Sequence, residues 1–296
     1  MKLRIQHRTT YRYSEKVQFG PHRIMVRPRE GHDIQIERSS LEVSPAHRIQ
    51  WSQDVYGNNI ALIQFTEPAS ELMIYSDLVL QHLETNPFDF FLEPEAVQYP
   101  FSYDPETTLE LAGLLHLVYP DDAAAVREWL HQFWYPGQTI DTLALLQKIN
   151  GSIQYVFAYQ VREEAGVQSP AETLKKKSGS CRDFATLFLE ACRCLGLASR
   201  FVSGYMLSGA LGADASTHAW AEVYLPGGGW KGFDPTLGLL PTSQHVPVAV
   251  SRHPENAMPV IGSYFGSAQA LGIEVDVRVE EIGPISQQAQ SMVKIA

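Results

Sequence analysis

A change of hydrophobic period near residue 105 constrains this chain more than any other feature. Up to about residue 100, apolar and polar residues alternate: Leu3 and Ile5 against Lys2, Arg4 and Gln6, then Tyr11 and Tyr13, Ile34 to Glu37, Leu41 to Val43, Ile60 to Phe65 and Leu72 to Leu80. Period two is the signature of strands with one buried face, and Tyr56-Gly57-Asn58-Asn59 reads as a turn between two of them. The spacing then lengthens to three and four over Thr107 to Tyr119, Asp121 to Trp134 (with Asp121 as N-cap) and Asp141 to Ile153, which predicts helices. Strands followed by helices imply an α+β chain, not a βαβ alternation. Residues 1–100 are expected to form an N-terminal antiparallel β-sandwich domain. Pro87, Pro94, Pro100 and Pro105 mark a connector at 86–105, and 101–282 forms a second unit that ends in a strand at Ile273 to Val279. The polar stretch 283–296 is expected to be a loose tail.

Within the second unit, Ser178 to Leu197 reads as a helix that begins with a cysteine. Phe184, Leu187, Phe188, Ala191 and Leu195 build one apolar face, Ser180 is an N-cap with Asp183 three residues on, and Gly196 is a stop signal. Cys181 thus takes the first helical position, where free N–H groups and the positive end of the helix dipole favour a thiolate. Cys192 lies above it on the same helix face, about three turns on, and with Cys194 is expected to be packing. Upstream, Tyr155 to Gln160 reads as an extended segment leading into the site, and Ser169-Pro170 as a short helix start.

After this helix, Ala198 to Leu207 reads as a strand and 211–216 as a loop. Thr217 to Leu225, glycines 227 to 229 and Trp230 to Thr236 then form a β-hairpin that puts His218, Trp220, Glu222 and Tyr224 on one face. Asp234 meets His218 only in a register of the right parity, with either 218 or 220 opposite 234. In the second case the pair is diagonal, with Cβ atoms about 7 Å apart. A nucleophilic thiol needs a base, and the base an orienting acceptor. Cys181, His218 and Asp234 offer these roles in chain order.

The segments Gly179-Ser-Cys181-Arg-Asp-Phe-Ala, Leu195 to Tyr205, His218-Ala-Trp-Ala-Glu-Val-Tyr and Trp230-Lys-Gly-Phe-Asp-Pro-Thr236 resemble the core motifs of the transglutaminase-like superfamily, a branch of the papain-like thiol fold. The N-terminal strands resemble the β domain that precedes this core in a bacterial subgroup described as transglutaminase-like enzymes or cysteine proteases. The region from His245 to Val260 resembles that subgroup after the core, with departures at 253–257 and at Arg182, where relatives often carry Gln. The resemblance implies a helical layer plus antiparallel sheet, with Cys181 as nucleophile, His218 as base and Asp234 as its orienter. It implies acyl transfer through a thioester, with hydrolysis of a peptide or protein amide preferred. The alternatives are protein crosslinking, and a non-catalytic scaffold that keeps the fold. The Cys181 N–H is a natural oxyanion donor; Tyr155, Tyr159 and Gln160 are unranked candidates for a second. Trp220 either shields the pair from water or serves as a core aromatic.

Composition excludes other classes. Twenty-three basic against 33 acidic residues give a net charge of −10, with no basic cluster suited to nucleic acid. Lys175 to Lys177 reads as a solvated helix end. With neither a secretory h-region nor a long apolar run, the chain is expected to be cytoplasmic and to have no membrane partner. Three cysteines suit a reducing compartment. No cofactor is expected, and no metal: His7, His22, His32, His47 and His82 lack ligand spacing and read as surface or satisfied core residues, and Cys181 with His218 falls short of a zinc ligand set. The oligomeric state is left open.

Overall fold

The fold, taken from a computed structural model, is described for residues 1–83, 86–162, 164, 166–207 and 216–283. The N-terminal strands are β1 (Lys2–Phe19), β2 (His22–Ile24), β3 (Ile34–Ser44), β4 (His47–Gln53), β5 (Asn59–Phe65) and β6 (Ala69–His82). The middle of the chain carries β7 (Gln98–Tyr99), α1 (Pro105–Leu115), α2 (Ala123–Leu130), β8 (Ile140–Asp141), α3 (Thr142–Val156), β9 (Ala158–Tyr159), α4 (Pro170–Lys176), β10 (Ser178–Gly179) and α5 (Cys181–Cys194). Next come β11 (Ser199–Met206), β12 (Ser216–Leu225), β13 (Gly229–Phe233) and β14 (His245–Ser251), and finally β15 (Val260–Ile261), β16 (Tyr264–Phe265) and β17 (Ala270–Glu281).

The N-terminal unit is an antiparallel sandwich. One sheet is built on β1, which pairs with β6, β16 and β17, with β3 outside β6; the other runs β15-β2-β5-β4. Inward residues of both sheets, among them Tyr13, Val17, Ile24, Ile63, Leu72 and Ile74, close one core between them. The other end of the β1 sheet packs Leu3, Ile5, Leu78 and Leu80 against Tyr205, Val246 and Val248 of the second unit. β17 pairs with β1 over nearly its whole length, from Leu3↔Glu281 to Tyr13↔Ala270. The last strand is therefore part of the N-terminal sheet, not of the core unit to which its position in the chain assigns it. Its alternation shows a strand but carries no record of its partner. The tail expected at 283–296 lies, from 284 on, outside the described residues, as does the loop expected at 211–216 up to residue 215.

The second unit layers helices on the antiparallel sheet β13-β12-β11-β14. α5 lies at its centre, with Phe184, Leu187, Phe188 and Ala191 meeting Phe201, Ala219, Ala221, Val223 and Phe233. Phe188 stacks on Phe233 at 5.4 Å between centroids. The opposite side of α5 is buried too, although Glu190 and Arg193 lie there. They form a salt bridge at 2.6 Å, Glu190 accepts the Val118 and Tyr119 N–H groups, and Arg193 donates to Leu114, Ser199 and Arg252 carbonyls. Every polar atom that this burial strips of water gains a partner.

Several boundaries differ from the periodicity. α1 starts at Pro105 behind Asp104, which accepts the Glu106 and Thr107 N–H groups. A 3-10 turn at Pro120–Asp122 comes before α2, so Asp122 rather than Asp121 holds the N-cap position, and its side chain binds the Ala171 N–H instead of capping. α3 continues through Tyr155 and Val156, leaving only Ala158–Tyr159 extended. Among the N-terminal histidines, His7, His22 and His47 are hydrogen bonded, whereas His82 is buried with Nδ1 unpartnered.

Candidate active site

The start of α5 is fixed from both sides. The Asp183 carboxylate turns back to accept the Ser180 N–H at 2.8 Å and its hydroxyl at 2.9 Å, and it also receives Arg162 and the Gln168 N–H at 2.8 and 2.7 Å. Burial works to raise the Asp183 pKa, but the donors from Ser180 and Gln168 outweigh it and hold the carboxyl below the usual range. Gly179 leaves no room for a side chain, since a Cβ there would lie 2.9 Å from Asp183 Cβ. This loop delivers Cys181 to the first helical position, half-buried.

A short parallel ladder brings a second segment to the thiol. Tyr159 pairs with Gly179, and the Gln160 N–H donates to the Gly179 carbonyl at 2.8 Å. Tyr159 is thereby brought near Cys181 while the residue stays 45% exposed; burial, then the nearby Cys181 and Asp234, push its pKa up to about 12. Of the three candidates for a second oxyanion donor, Tyr159 is the one whose side chain lies beside Cys181. Gln160 joins through its backbone, and Tyr155 stands 88% exposed on the last turn of α3.

The hairpin adopts the diagonal register. Ala221 faces Phe233, so the next step sets Asp234 level with Trp220. His218 Nε2 reaches across to Asp234 Oδ2 at 2.7 Å, with both side chains buried. Cys181 lies near enough to the His218 ring to add to the rise in its pKa, after Asp234. Asp234 Oδ1 accepts the Thr236 and Leu237 N–H groups at 2.9 and 3.3 Å. Burial opposes charge on the imidazole, but Asp234 more than offsets it, so the His218 pKa rises to about 10. Burial likewise opposes charge on Asp234, and His218 and His245 overcome it, holding the carboxyl far below its ordinary value. Trp220 packs beside His218 at 2% exposure, its ring 6.1 Å from the imidazole and tilted 30°, as a core aromatic.

The sequence reading misses one member of this cluster. His245, the first residue of β14, places Nε2 3.1 Å from Asp234 Oδ2. A lone histidine some ten residues beyond the hairpin gives no local signal; only the β11–β14 pairing brings it here. Its presence also corrects the ground on which a metal was discounted, since His218, Asp234 and His245 set three donor atoms within 4.8 Å of one another. Yet both Nε2 atoms face the same carboxylate oxygen at hydrogen-bond distance, which requires a proton on each and leaves neither lone pair for a cation. The cluster fits a hydrogen-bonded relay better than a metal centre.

Comparison with known proteins agrees with this architecture. Residues 3–81 match the bacterial transglutaminase-like N-terminal region, and residues 137–235 match the transglutaminase-like superfamily, a span that contains Cys181, His218 and Asp234. The chain belongs to the transglutaminase-like superfamily. An uncharacterized protein of Mycobacterium tuberculosis is 29% identical to this transglutaminase-like protein, over 94% of this chain and 92% of its own. Another, from Mycobacterium leprae, is 24% identical over 94% and 98%. A crystal structure from Cytophaga hutchinsonii, described as a "Putative Cysteine Protease", superposes with a TM-score of 0.71 at 20% identity, covering 96% of this chain and 92% of that one. The transglutaminase-like protein shares that fold across both of its units.

Proposed function

We propose that this protein is a thiol-dependent acyl-transfer enzyme acting on peptide or protein amides, with hydrolysis as its ordinary outcome. The observation that carries the reading is the buried His218–Asp234 hydrogen bond at 2.7 Å, with Cys181 at a helix start near enough to add to the rise in the His218 pKa. An imidazole whose pKa is raised by a buried carboxylate takes the thiol proton, giving a thiolate beside an imidazolium.

The thiolate sulfur attacks the amide carbonyl carbon, and a C–S bond forms as the carbonyl oxygen takes the electron pair. In this reading the Cys181 N–H, at the first position of α5, and the Tyr159 hydroxyl hold that oxyanion. When the tetrahedral centre collapses, the C–N bond breaks and His218 passes its proton to the departing amine, leaving a thioester on Cys181. Water, its proton taken by His218, then releases the acid and restores the thiol. An amine in place of water would give crosslinking. The three free cysteines suit a reducing, cytoplasmic setting.

The test is to incubate wild type and Cys181→Ala with a set of peptide amides and read the intact mass. The proposal expects an acyl adduct on Cys181 that hydroxylamine removes, together with peptide cleavage that the variant lacks. Cleavage that survives in Cys181→Ala would overturn it, and incorporation of an added amine in preference to water would favour crosslinking.

A further inference from the structure

We infer that His245 is a positioning residue of this site: it supplies the fourth donor to the Asp234 carboxylate and so fixes the orientation in which Asp234 holds His218. The inference rests on the acyl-transfer reading above. An ionised carboxylate offers about four lone-pair sites. On Asp234 the Thr236 and Leu237 N–H groups take Oδ1, while His218 and His245 share Oδ2 at 2.7 and 3.1 Å. With all four in place the group neither rotates nor reaches for water, which its complete burial excludes. Without His245, one site on the oxygen that faces His218 is empty, and a buried charge with an unfilled site is costly.

His245 is itself fixed in the donating tautomer. Its Nδ1 accepts the Thr242 N–H at 3.2 Å, and the His245 backbone N–H donates to the Thr242 carbonyl at 2.8 Å. With Nδ1 occupied as an acceptor, the ring proton must lie on Nε2, toward Asp234. The edge of Trp220 packs against His245 at 5.4 Å while the same indole lies 6.1 Å from His218, so one aromatic wall holds both imidazoles. The titratable groups facing His245 are Asp234, His218 and, from β6 of the N-terminal sheet, His82, with Asp33 beyond. Burial holds the His82 pKa below its usual value, so His82 brings no charge to the cluster at neutral pH. Two bonded ring nitrogens and a locked tautomer exceed what packing alone demands of a buried ring.

The experiment compares the full chain as wild type, His245→Phe and His245→Gln, reading the alkylation rate of Cys181 by peptide mapping across pH. Phe keeps the ring volume and removes the donor; Gln restores a donor. The expected result is a rate for His245→Phe lower by about tenfold near pH ~6, the size of one lost hydrogen bond to a charged group, with no change near pH ~9, where an ordinary thiol ionises unaided. His245→Gln recovers most of the loss. A wild-type profile in His245→Phe overturns the inference, and so does an equal loss in both variants, which would mark a role in packing. If Cys181 of the wild type is itself unreactive near pH ~6, the acyl-transfer reading fails and this inference falls with it. Should His245→Phe not fold, the imidazole ¹⁵N spectrum of the wild type decides: His245 protonated on Nε2 supports the inference, and on Nδ1 it is overturned.

Discussion

His218 and Asp234 meet on a diagonal, one step out of direct opposition across the hairpin, and still bond at 2.7 Å. Direct opposition is not needed because the imidazole is long enough to span the offset. The diagonal places Trp220 opposite Asp234, so the residue that packs beside His218 is set by the same register that forms the pair. Asp234→Asn keeps the shape and removes the charge. Without that charge little offsets the burial that opposes a charged imidazole, so the His218 pKa falls, and in the proposed mechanism Cys181 loses its base. Turnover of any substrate is expected to fall by about 10²- to 10⁴-fold, the usual contribution of a positioned acid–base group; steady-state rates at neutral pH check it.

The same pair sets a limit on alkaline stability. With a folded pKa raised to about 10 against about 6.5 in the unfolded chain, protonated His218 adds stability that is fully present below about 6.5 and is lost as pH rises toward 10. Thermal melts of the wild type are expected to decline across that window. His218→Ala should flatten the decline, and an equal slope in both proteins would contradict the assignment.

His7 acts in the opposite direction. Its two ring nitrogens are bonded to the Tyr205 hydroxyl at 2.9 Å and the Thr9 hydroxyl at 3.1 Å, and burial lowers its pKa to about 4. Protonation on acidification therefore favours the unfolded chain, and stability falls as pH drops from about 6.5 to 4, by about 3 kcal/mol at most. Because His7 bridges the N-terminal sheet to β11, His7→Gln is expected to remove this acid slope in urea melts while leaving stability at pH ~8 close to the wild type.

Gly204 couples the packing to the site. A Cβ added there would lie 2.3 Å from the Val246 carbonyl oxygen and 2.7 Å from Trp220 Cη2. Gly204→Ala must move both β14, which carries His245, and the indole beside His218, or displace β11 itself. A cost of about 1–3 kcal/mol is expected, with a parallel loss of Cys181 reactivity. Urea unfolding and alkylation on the same variant check both.

Treatment with a chelator is expected to leave Cys181 alkylation and the melting temperature unchanged, because His218 and His245 direct their protons at Asp234. A fall in either on chelation, restored by zinc, would make the three donors a metal site.

What the sequence shows and what it hides follow from the range of the interactions. The cap at Ser180 and Asp183, the first helical position of Cys181 and the hairpin glycines are local, set by residues within a few positions of each other, and they are legible. The parity of the hairpin is legible as well, but its register is not: both permitted pairings leave the faces of β12 unchanged, and in the fold Trp220 packs with Val202 of β11 and Val250 of β14. Glu190 and Arg193 look like a solvated helix face because nothing near them in sequence announces the carbonyls and N–H groups they meet across the fold. His245 and the return of β17 to β1 depend on contacts between distant parts of the chain, for which alternation and composition carry no record.

The central claim is most directly tested by the rate at which Cys181 is alkylated, located by peptide mapping, from about pH 5 to 9, in the wild type and in His218→Ala. A free thiol ionises near pH ~8.5, whereas a thiolate paired with an imidazolium stays reactive far below it. The account predicts rapid labelling of Cys181 near pH ~6, ahead of buried Cys192, whose thiol is pushed upward by burial, and loss of that advantage in His218→Ala. A Cys181 that is inert, or that titrates as an ordinary thiol in both proteins, would contradict it.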